Sequence, residues 1–556
     1  MPRPSSVRIV KRLTSAGHNV EPEAVTLLAA TADPDSAVAT LLEAIDESRM
    51  TVTAEDVRFH LESALDLGND TRSNSGNDTR SDLSRNRDEN PSVSGGDTPS
   101  PAPGTESNSP PETKGVTGRQ GPSDRPLDRS AAAESVGVGS PTNPPKASTS
   151  SRERPPTEPE ITGDVTGRST GTGEYEDFVS VFRDRYERLA SLLRGRVKHR
   201  PTDALEAMPG RADAALVGMV SDVRSTRNGH RLIELEDTNG TFPALFMNDR
   251  ELFEVADELL LDEVIAVSGS LSSDGGILFA DEVHFPDVPR TYQPSTADRH
   301  VRAALISDLH VGSEEFLAGA FEDFADWLHT PDAAAVEYLL IAGDMVEGVG
   351  VYPGQDEELA VVDIYEQYER FAEHLKAVPG DIEIVMVPGN HDAVRLAEPQ
   401  PGFEPELRKI MRAHDATIAG NPSTVTIEGV SVLLYHGVSL DEVIAELPLE
   451  SVSYEHPHEA MAHLLKKRHL APTFGGKNRI APEKRDYLVI EDVPDLVHAG
   501  HVHKLGVGAY RQVRLVNSGC FQDQTAYQRS VNIDPDTGTA PIVDLDTLEV
   551  TVRKFG

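Results

Sequence analysis

The sequence predicts a multidomain chain: an α/β layered domain preceded by a small β-barrel, with a small helical domain at the N-terminus on a disordered linker. Three observations predict it. Short Val-, Ile- and Leu-rich runs at residues 303–307, 338–342, 383–387, 430–435 and 495–499 read as buried strands, and segments with helical apolar spacing separate several of them. Upstream, five short strand-like segments alternate with turn signals. Between the first residues and that stretch, the composition shifts to Ser, Thr, Pro, Gly, Asp and Arg.

Within residues 1–65, segments 7–16, 22–30, 35–48 and 53–64 carry apolar residues at helical spacing, with Asp35 and Thr53 placed as N-caps, which predicts a helical bundle. It reads either as a solubility module or as a docking domain. Residues 66–173, with the near-repeat Gly-Asn-Asp-Thr-Arg-Ser at Gly68 and Gly76, hold too few large apolar residues to offset ordering entropy, so a disordered tether is expected. A long tether provides reach for a docking module. Residues 174–211 form a connector, with an amphipathic helix over 175–198.

Residues 212–290 contain strands at 216–223, 231–236, 241–247, 263–271 and 275–283, separated by Arg227-Asn228-Gly229, Asp237-Thr-Asn239-Gly240 and Ser273-Asp274-Gly275-Gly276. A helix at 250–260 precedes the fourth strand. The pattern suits an OB-fold or another small barrel.

Residues 291–556 supply the layered domain. Helical spacing at 315–329 and 357–378 suits strand-helix crossovers and a mainly parallel sheet, with ligands gathering at the carboxyl ends of the strands. Strands at 512–517 and 542–552 close it. Ser518 and Gly519 either line the cleft mouth or form a structural turn.

Each of the five runs ends in a motif: Asp308-Leu-His310, Gly343-Asp344, Gly389-Asn390-His391-Asp392, His436-Gly437 and Gly500-His501-Val-His503. Carboxylates, an amide oxygen and imidazoles without thiolate suit hard divalent ions such as Mn2+. Two ions about 3.5–4 Å apart need a bridging carboxylate. Asp344 is assigned as the bridge, with Asp308, His310 and His503 on one ion and Asn390, His436 and His501 on the other. His391 is left to protonate or stabilise a leaving alkoxide. Asp392 orients His391 or caps the loop. His498 reads as a core or supporting group, and His414, His456, His458, His463 and His469 as surface residues.

In this order, over roughly residues 301–521, the motifs resemble the calcineurin-like metallophosphoesterase superfamily. The loop Asp344-Met-Val-Glu-Gly-Val-Gly-Val-Tyr352-Pro-Gly-Gln355, the segment Lys466-Lys467-Arg468-His469-Leu-Ala-Pro472 and the barrel placed before the layered domain resemble the small subunits of archaeal family D DNA polymerases. These are relatives of eukaryotic replicative B subunits, whose phosphoesterase domain has lost its ligands. Here every expected ligand is present. The resemblance therefore implies an OB-fold, a two-metal 3'–5' exonuclease stimulated by Mn2+ that acts on single-stranded or mismatched 3' DNA ends, and assembly with a large catalytic subunit. For a replication subunit, the long tether makes a sliding clamp or another replication protein the expected partner of the N-terminal domain, against a mere solubility or stability module. The basic cluster Lys466, Lys467, Arg468, Lys477, Arg479, Lys484 and Arg485 then reads as a DNA-backbone contact, against the alternative of a solvated face. A silent scaffold and an independent metallophosphoesterase on small phosphoesters stay open.

With 92 acidic against 52 basic side chains the net charge is -40, which predicts a surface kept soluble at high salt, as in a halophilic archaeon, and no DNA binding by bulk charge. One cysteine, Cys520, excludes an internal disulfide and reads as a small buried residue. No apolar stretch approaches a membrane span, and no signal-peptide core opens the chain, so a cytoplasmic protein is expected.

Overall fold

The apolar runs of the layered domain are buried on both faces because they build two sheets rather than one. The computed structural model describes residues 12, 19–20, 24, 27–28, 34–44, 51–52, 57, 156–169, 171–352, 355–411, 415–448, 451–476 and 478–556. The chain divides into two units, residues 1–134 and 135–556.

In the first unit a helix spans Pro34–Ala44, overlapping the predicted 35–48 but starting one residue earlier, so Asp35 lies within the helix and is not its N-cap. Ala24, Leu28, Ala37, Val38, Leu41 and Val57 form a buried cluster. A short parallel pair, Asn19–Val20 with Thr51–Val52, departs from a purely helical reading. Of the other predicted helices only Arg12, Ala24, Leu27, Leu28 and Val57 are described, each helical, and most of the tether lies outside the described residues.

In the second unit, β1 (Glu160–Thr162) and α1 (Tyr175–Arg194) precede a barrel of β2 (Asp213–Ser225), β3 (Arg231–Glu236), β4 (Thr241–Phe246), β5 (Val264–Leu271) and β6 (Leu278–His284). The layered part comprises β7 (Arg302–Ile306), α2 (Ala318–Leu328), β8 (Val336–Ala342), α3 (Ile364–Leu375), β9 (Glu383–Val387) and β10 (Thr417–Ile418). It continues through β11 (Ser423–Ile427), β12 (Val430–Leu434), α4 (Leu440–Glu446), α5 (Pro457–Lys467), β13 (Leu496–Ala499), β14 (Leu505–Tyr510), β15 (Val513–Ser518), β16 (Thr539–Asp544) and β17 (Glu549–Lys554).

The barrel closes in the order β2-β3-β4-β6-β5. A register irregularity between Val220 and Asp222 accompanies the switch of the long β2 from β5 to β3. The two six-stranded sheets run β10-β9-β8-β7-β16-β17 and β14-β15-β13-β12-β11-β1; the first is parallel from β10 to β7 and antiparallel at β16 and β17, and the second has a parallel centre and antiparallel edges. Alternate side chains explain the layering. Ala303 and Leu305 of β7 meet Val432, Leu434 and Leu496 between the sheets. Ala304 and Ile306 face Phe321 and Phe371 of α2 and α3, while Leu433, Val497 and Ala499 face Val443 and Leu464 of α4 and α5. The single sheet expected from sequence is thus a helix-sheet-sheet-helix stack.

Two further expectations are corrected. The end of the predicted tether is ordered: β1 pairs antiparallel with β11, Val165 is fully buried, and the Asp164 carboxylate accepts from Gly420 N at 2.9 Å. The basic segment after α5 turns inward. Lys467, fully buried, pairs with Glu263 of β5's leading turn at 2.7 Å. Lys466 pairs with Glu258 at 2.6 Å and lies 4.3 Å from the Phe285 ring centroid. Arg468 ends α5 in the left-handed conformation, φ 54°, and donates to the carbonyls of Ile490, Asp287 and Glu491. These three residues tie the barrel to the layered part and are not free to hold DNA.

His469 is buried as well, not on the surface. Its Nδ1 accepts from Ala471 N, so its Nε2–H donates to Asp486 at 2.9 Å, and Asp486 also receives Arg185 Nε of α1 at 2.7 Å. Among the other predicted surface residues, Arg479, Lys484 and His456 are exposed, Arg485 is exposed and paired with Glu491, and His458 and His463 are half-buried. Lys477 and His414 lie outside the described residues. Among the described residues no helix is long and apolar enough to cross a membrane.

Candidate metal centre

Every motif follows a parallel strand, so the side chains converge where the two sheets end. Asp308 and His310 follow β7, Asp344 follows β8, Asn390 and His391 follow β9, His436 follows β12, and His501 and His503 follow β13. Asp308, His310, Asp344, His501 and His503 all take positive φ, between 49° and 70°. Non-glycine residues rarely adopt this region, and its cost is tolerated where the surrounding fold dictates a site geometry. Two glycines allow the close approach: a Cβ on Gly389 would lie 2.2 Å from Asp344 Oδ1, and one on Gly500 2.2 Å from Asp308 Oδ2.

Three groups of ligand-type atoms meet here, Asp308 with His310 and His503, Asp344 with His436 and His501, and His310 with Glu347 and His391, the atoms of each lying within 4.8 Å of one another. The groups adjoin. Asp344 Oδ2 lies 3.2 Å from His436 Nε2 and 3.7 Å from His310 Nε2, and Asn390 Oδ1 lies 3.1 Å from His436 Nε2. His310 and His503 face each other at 3.1 Å through their Nε2 atoms, with His503 Nε2 3.4 Å from Asp308 Oδ1.

The outer nitrogens are held by the protein. His436 Nδ1 contacts Ala342 O and His310 Nδ1 contacts Glu347 Oε2, each at 2.8 Å, which directs both Nε2 atoms inward. His503 Nδ1 meets the Gln528 amide nitrogen at 2.8 Å, while Gln528 Oε1 accepts from Thr525 N. In this arrangement His503 carries its proton on Nε2. His391 Nδ1 donates to Glu347 O at 2.9 Å, and its backbone N–H donates to Asp344 Oδ1.

Charge follows this geometry. Burial opposes ionisation of Asp308, but His310 and His503 hold its carboxyl well below the usual range. Burial likewise opposes ionisation of Asp344, and His436 and His391 hold it low. His436 loses by burial but is carried up to about 9 by Asp344. His391, also disfavoured by burial, is raised by Asp344 and Glu347. A cation entering here displaces protons from imidazoles already arranged around carboxylates.

Sequence reasoning missed Glu347, which is buried and bonds His310, Gln522 and Gln355, and it missed Gln528. Glu347 lies in the loop after Asp344, where no periodicity marks it. Asp392 accepts from Gly389 N and the Tyr368 hydroxyl and caps its loop; the Glu347 carbonyl orients His391 instead. Ser518 lies beneath the site, fully buried between Ser307 and His498, so it does not line the mouth. Cys520 is buried.

The family model for the B subunits of DNA polymerases alpha and epsilon matches residues 303–505. The chain is 59% identical over 559 residues to a protein named DNA polymerase II small subunit from Halobacterium salinarum, covering all of both chains. Proteins of the same name from Archaeoglobus fulgidus and Methanocaldococcus jannaschii are 44% and 42% identical over 401 and 393 residues. These alignments cover 71% and 69% of this chain, and 80% and 66% of theirs.

Proposed function

The chain belongs to the family of archaeal family D DNA polymerase small subunits, and from that premise we propose that it carries the 3'–5' exonuclease of a two-subunit polymerase, removing single-stranded or mismatched 3' DNA ends. The observation that carries the reading is the convergence of Asp308, His310, Asp344, Asn390, His436, His501 and His503, all but Asn390 and His501 buried, at the ends of two parallel strand sets. A scaffold has no need to hold five residues in left-handed backbone around facing imidazoles.

The donor set fits two hard divalent ions, Mn2+ foremost. Asp308, His310 and His503 would hold one, and Asn390, His436 and His501 the other, with Asp344 between them. When bound, the ions supply Lewis acidity toward phosphoryl oxygens and lower the pKa of water. The protein's own residues do the rest. Glu347 and Ala342 O fix the ring orientations of His310 and His436. His391, held through Nδ1, presents Nε2 as the proton donor to the leaving 3' oxygen.

In this reading the layered part is a calcineurin-like phosphoesterase, and the β2-β3-β4-β6-β5 barrel is an OB-fold carried ahead of it. The partners are the large catalytic subunit and DNA, with the N-terminal domain docking a clamp or another replication protein, in the cytoplasm. The test is nucleotide release from a 3'-mismatched primer with Mn2+ in high salt, alone and with the large subunit. Stepwise shortening that Asp344→Ala abolishes supports the exonuclease; no metal-dependent cleavage under either condition leaves the scaffold.

A further inference from the structure

The cleft over the metal centre encloses about 350 Å³, the scale of a small-molecule pocket and too small for duplex DNA. Besides the candidate ligands and the polar groups beside them, among them Glu347, His391 and Asp441, its walls are aromatic and aliphatic: Tyr352, Tyr454, Tyr527, Val502 and Ile533. No Lys or Arg lines it among the described residues. In a chain of net charge -40, nothing in these walls attracts a phosphate backbone once the ligand cluster is set aside.

The tyrosines stand on different sides. Tyr352 lies beside His391, ring centroids 6.5 Å apart, with its hydroxyl anchored on Glu358 at 2.8 Å. Tyr454 is anchored on Asp441 at 3.0 Å, and Asp441 lies 3.7 Å from His501. Tyr527 precedes Gln528, the partner of His503, and leaves 66% of its surface open. Anchored rings lose little freedom when a flat group stacks on them. Aromatic faces accept any nucleobase, because every base has a π-face, and an unpaired base reaches them only when it has left the duplex.

We propose that Tyr527, with Tyr352 and Tyr454 on the other walls, forms a stacking subsite for the unpaired 3'-terminal nucleobases, so that the cleft selects frayed ends by stacking and not by backbone charge. The proposal rests on the exonuclease reading, naming what that site selects. Tyr527 is the residue to vary, since its ring lines the cleft without holding a ligand.

The full-length chain is mixed, in EDTA, with a single-stranded oligonucleotide ending in 2-aminopurine. Stacking quenches the terminal fluorophore. Quenching is expected in the wild type and in Tyr527→Phe, deeper in Tyr527→Trp, and lost in Tyr527→Ala with circular dichroism unchanged. With Mn2+, the wild type should release a base-bearing terminal nucleotide about 5- to 150-fold faster than an abasic one, matching the contribution of one base-aromatic stack. Tyr527→Ala should release both at similar rates. No quenching in the wild type, equal quenching in Tyr527→Ala, or an unchanged base-to-abasic ratio in that variant overturns the subsite. Quenching without hydrolysis of any substrate by the wild type instead overturns the exonuclease reading and leaves the subsite standing.

Discussion

Replacing Lys467 with Met removes the cation from an ion pair whose side chains are 0% and 1% exposed. Burial pushes Glu263 above its ordinary value of 4.5 and Lys467 below its own, so desolvation outweighs their attraction and the intact pair adds little net stability. An orphaned Glu263 is a different matter. It keeps a bond from Leu260 N at 2.8 Å but loses the ammonium, and in that surrounding it takes up a proton. Neutralising such a carboxyl at pH 7 costs about 3.5 kcal/mol, from roughly 1.4 kcal/mol for each pH unit between 4.5 and 7, in line with the ~3–5 kcal/mol of a broken buried pair. The sign follows. The variant's folded-state pKa for Glu263 is raised, so its deficit vanishes below about pH 4.5 and grows as pH rises toward neutrality. Thermal unfolding should show Lys467→Met melting roughly 5 °C below wild type at pH 7 and close to it near pH 4.5, with little dependence on salt because the pair is buried. Lys467→Met/Glu263→Gln, which keeps an acceptor for Leu260 N, should recover most of the loss and cleave DNA like the wild type. A pH-independent or negligible shift would refute the buried-pair reasoning, and a double variant that is stable but fails to degrade DNA would make Lys467 a nucleic-acid contact.

Three further outcomes are expected. His391→Ala should slow cleavage by roughly 10²- to 10⁴-fold while calorimetry shows both metal sites filled; loss of metal would make His391 a ligand instead. For His503 Nε2 to ligate, its proton must move to Nδ1, where the Gln528 amide now presents its nitrogen; Gln528→Glu should therefore keep or tighten Mn2+ binding while Gln528→Leu weakens it about 10- to 100-fold, and equal affinities in all three forms would dismiss that contact. His469 is pushed down to about 4 by burial and by Arg185 nearby, so the unfolded chain binds a proton that the folded chain refuses between about pH 6.5 and 4. The stability present above pH 6.5 is thus lost as pH falls through that window, and His469→Gln should flatten the slope of melting temperature against pH there.

The convergence of the candidate ligands was legible because each sits where a continuous apolar run stops, and a buried parallel strand can only stop at its sheet's edge. The number of sheets was not legible from the same runs. A strand covered on both faces reads alike whether its second neighbour is a helix or another sheet, so β7 and β12 gave no sign that Leu305 and Val432 meet. β1 was lost in its surroundings, since three residues carrying one large apolar side chain, Ile161, cannot raise a periodic signal. The Lys466–Arg468 segment shows the limit most directly. Sequence records charge but not direction, and the left-handed Arg468 that terminates α5 turns its guanidinium into the joint with the barrel.

That inward turn bears on how so acidic a protein could handle DNA. Lys466, Lys467, Arg468 and Arg185 are all committed to carboxylates or carbonyls that join the barrel, α1 and the layered part, and Lys504, next to His503, is paired with Glu455 and Asp536. What faces the cleft is the candidate ligand cluster, Glu347 and Asp441 beside it, and the tyrosine walls. Backbone charge contacts weaken steeply as salt rises, whereas metal coordination and stacking do not depend on releasing counterions. A site that grips phosphate through bound ions and bases through rings therefore suits a protein with a net charge of -40. The proposed subsite would also supply selectivity, because paired ends keep their bases stacked inside the duplex and leave the tyrosines nothing to hold.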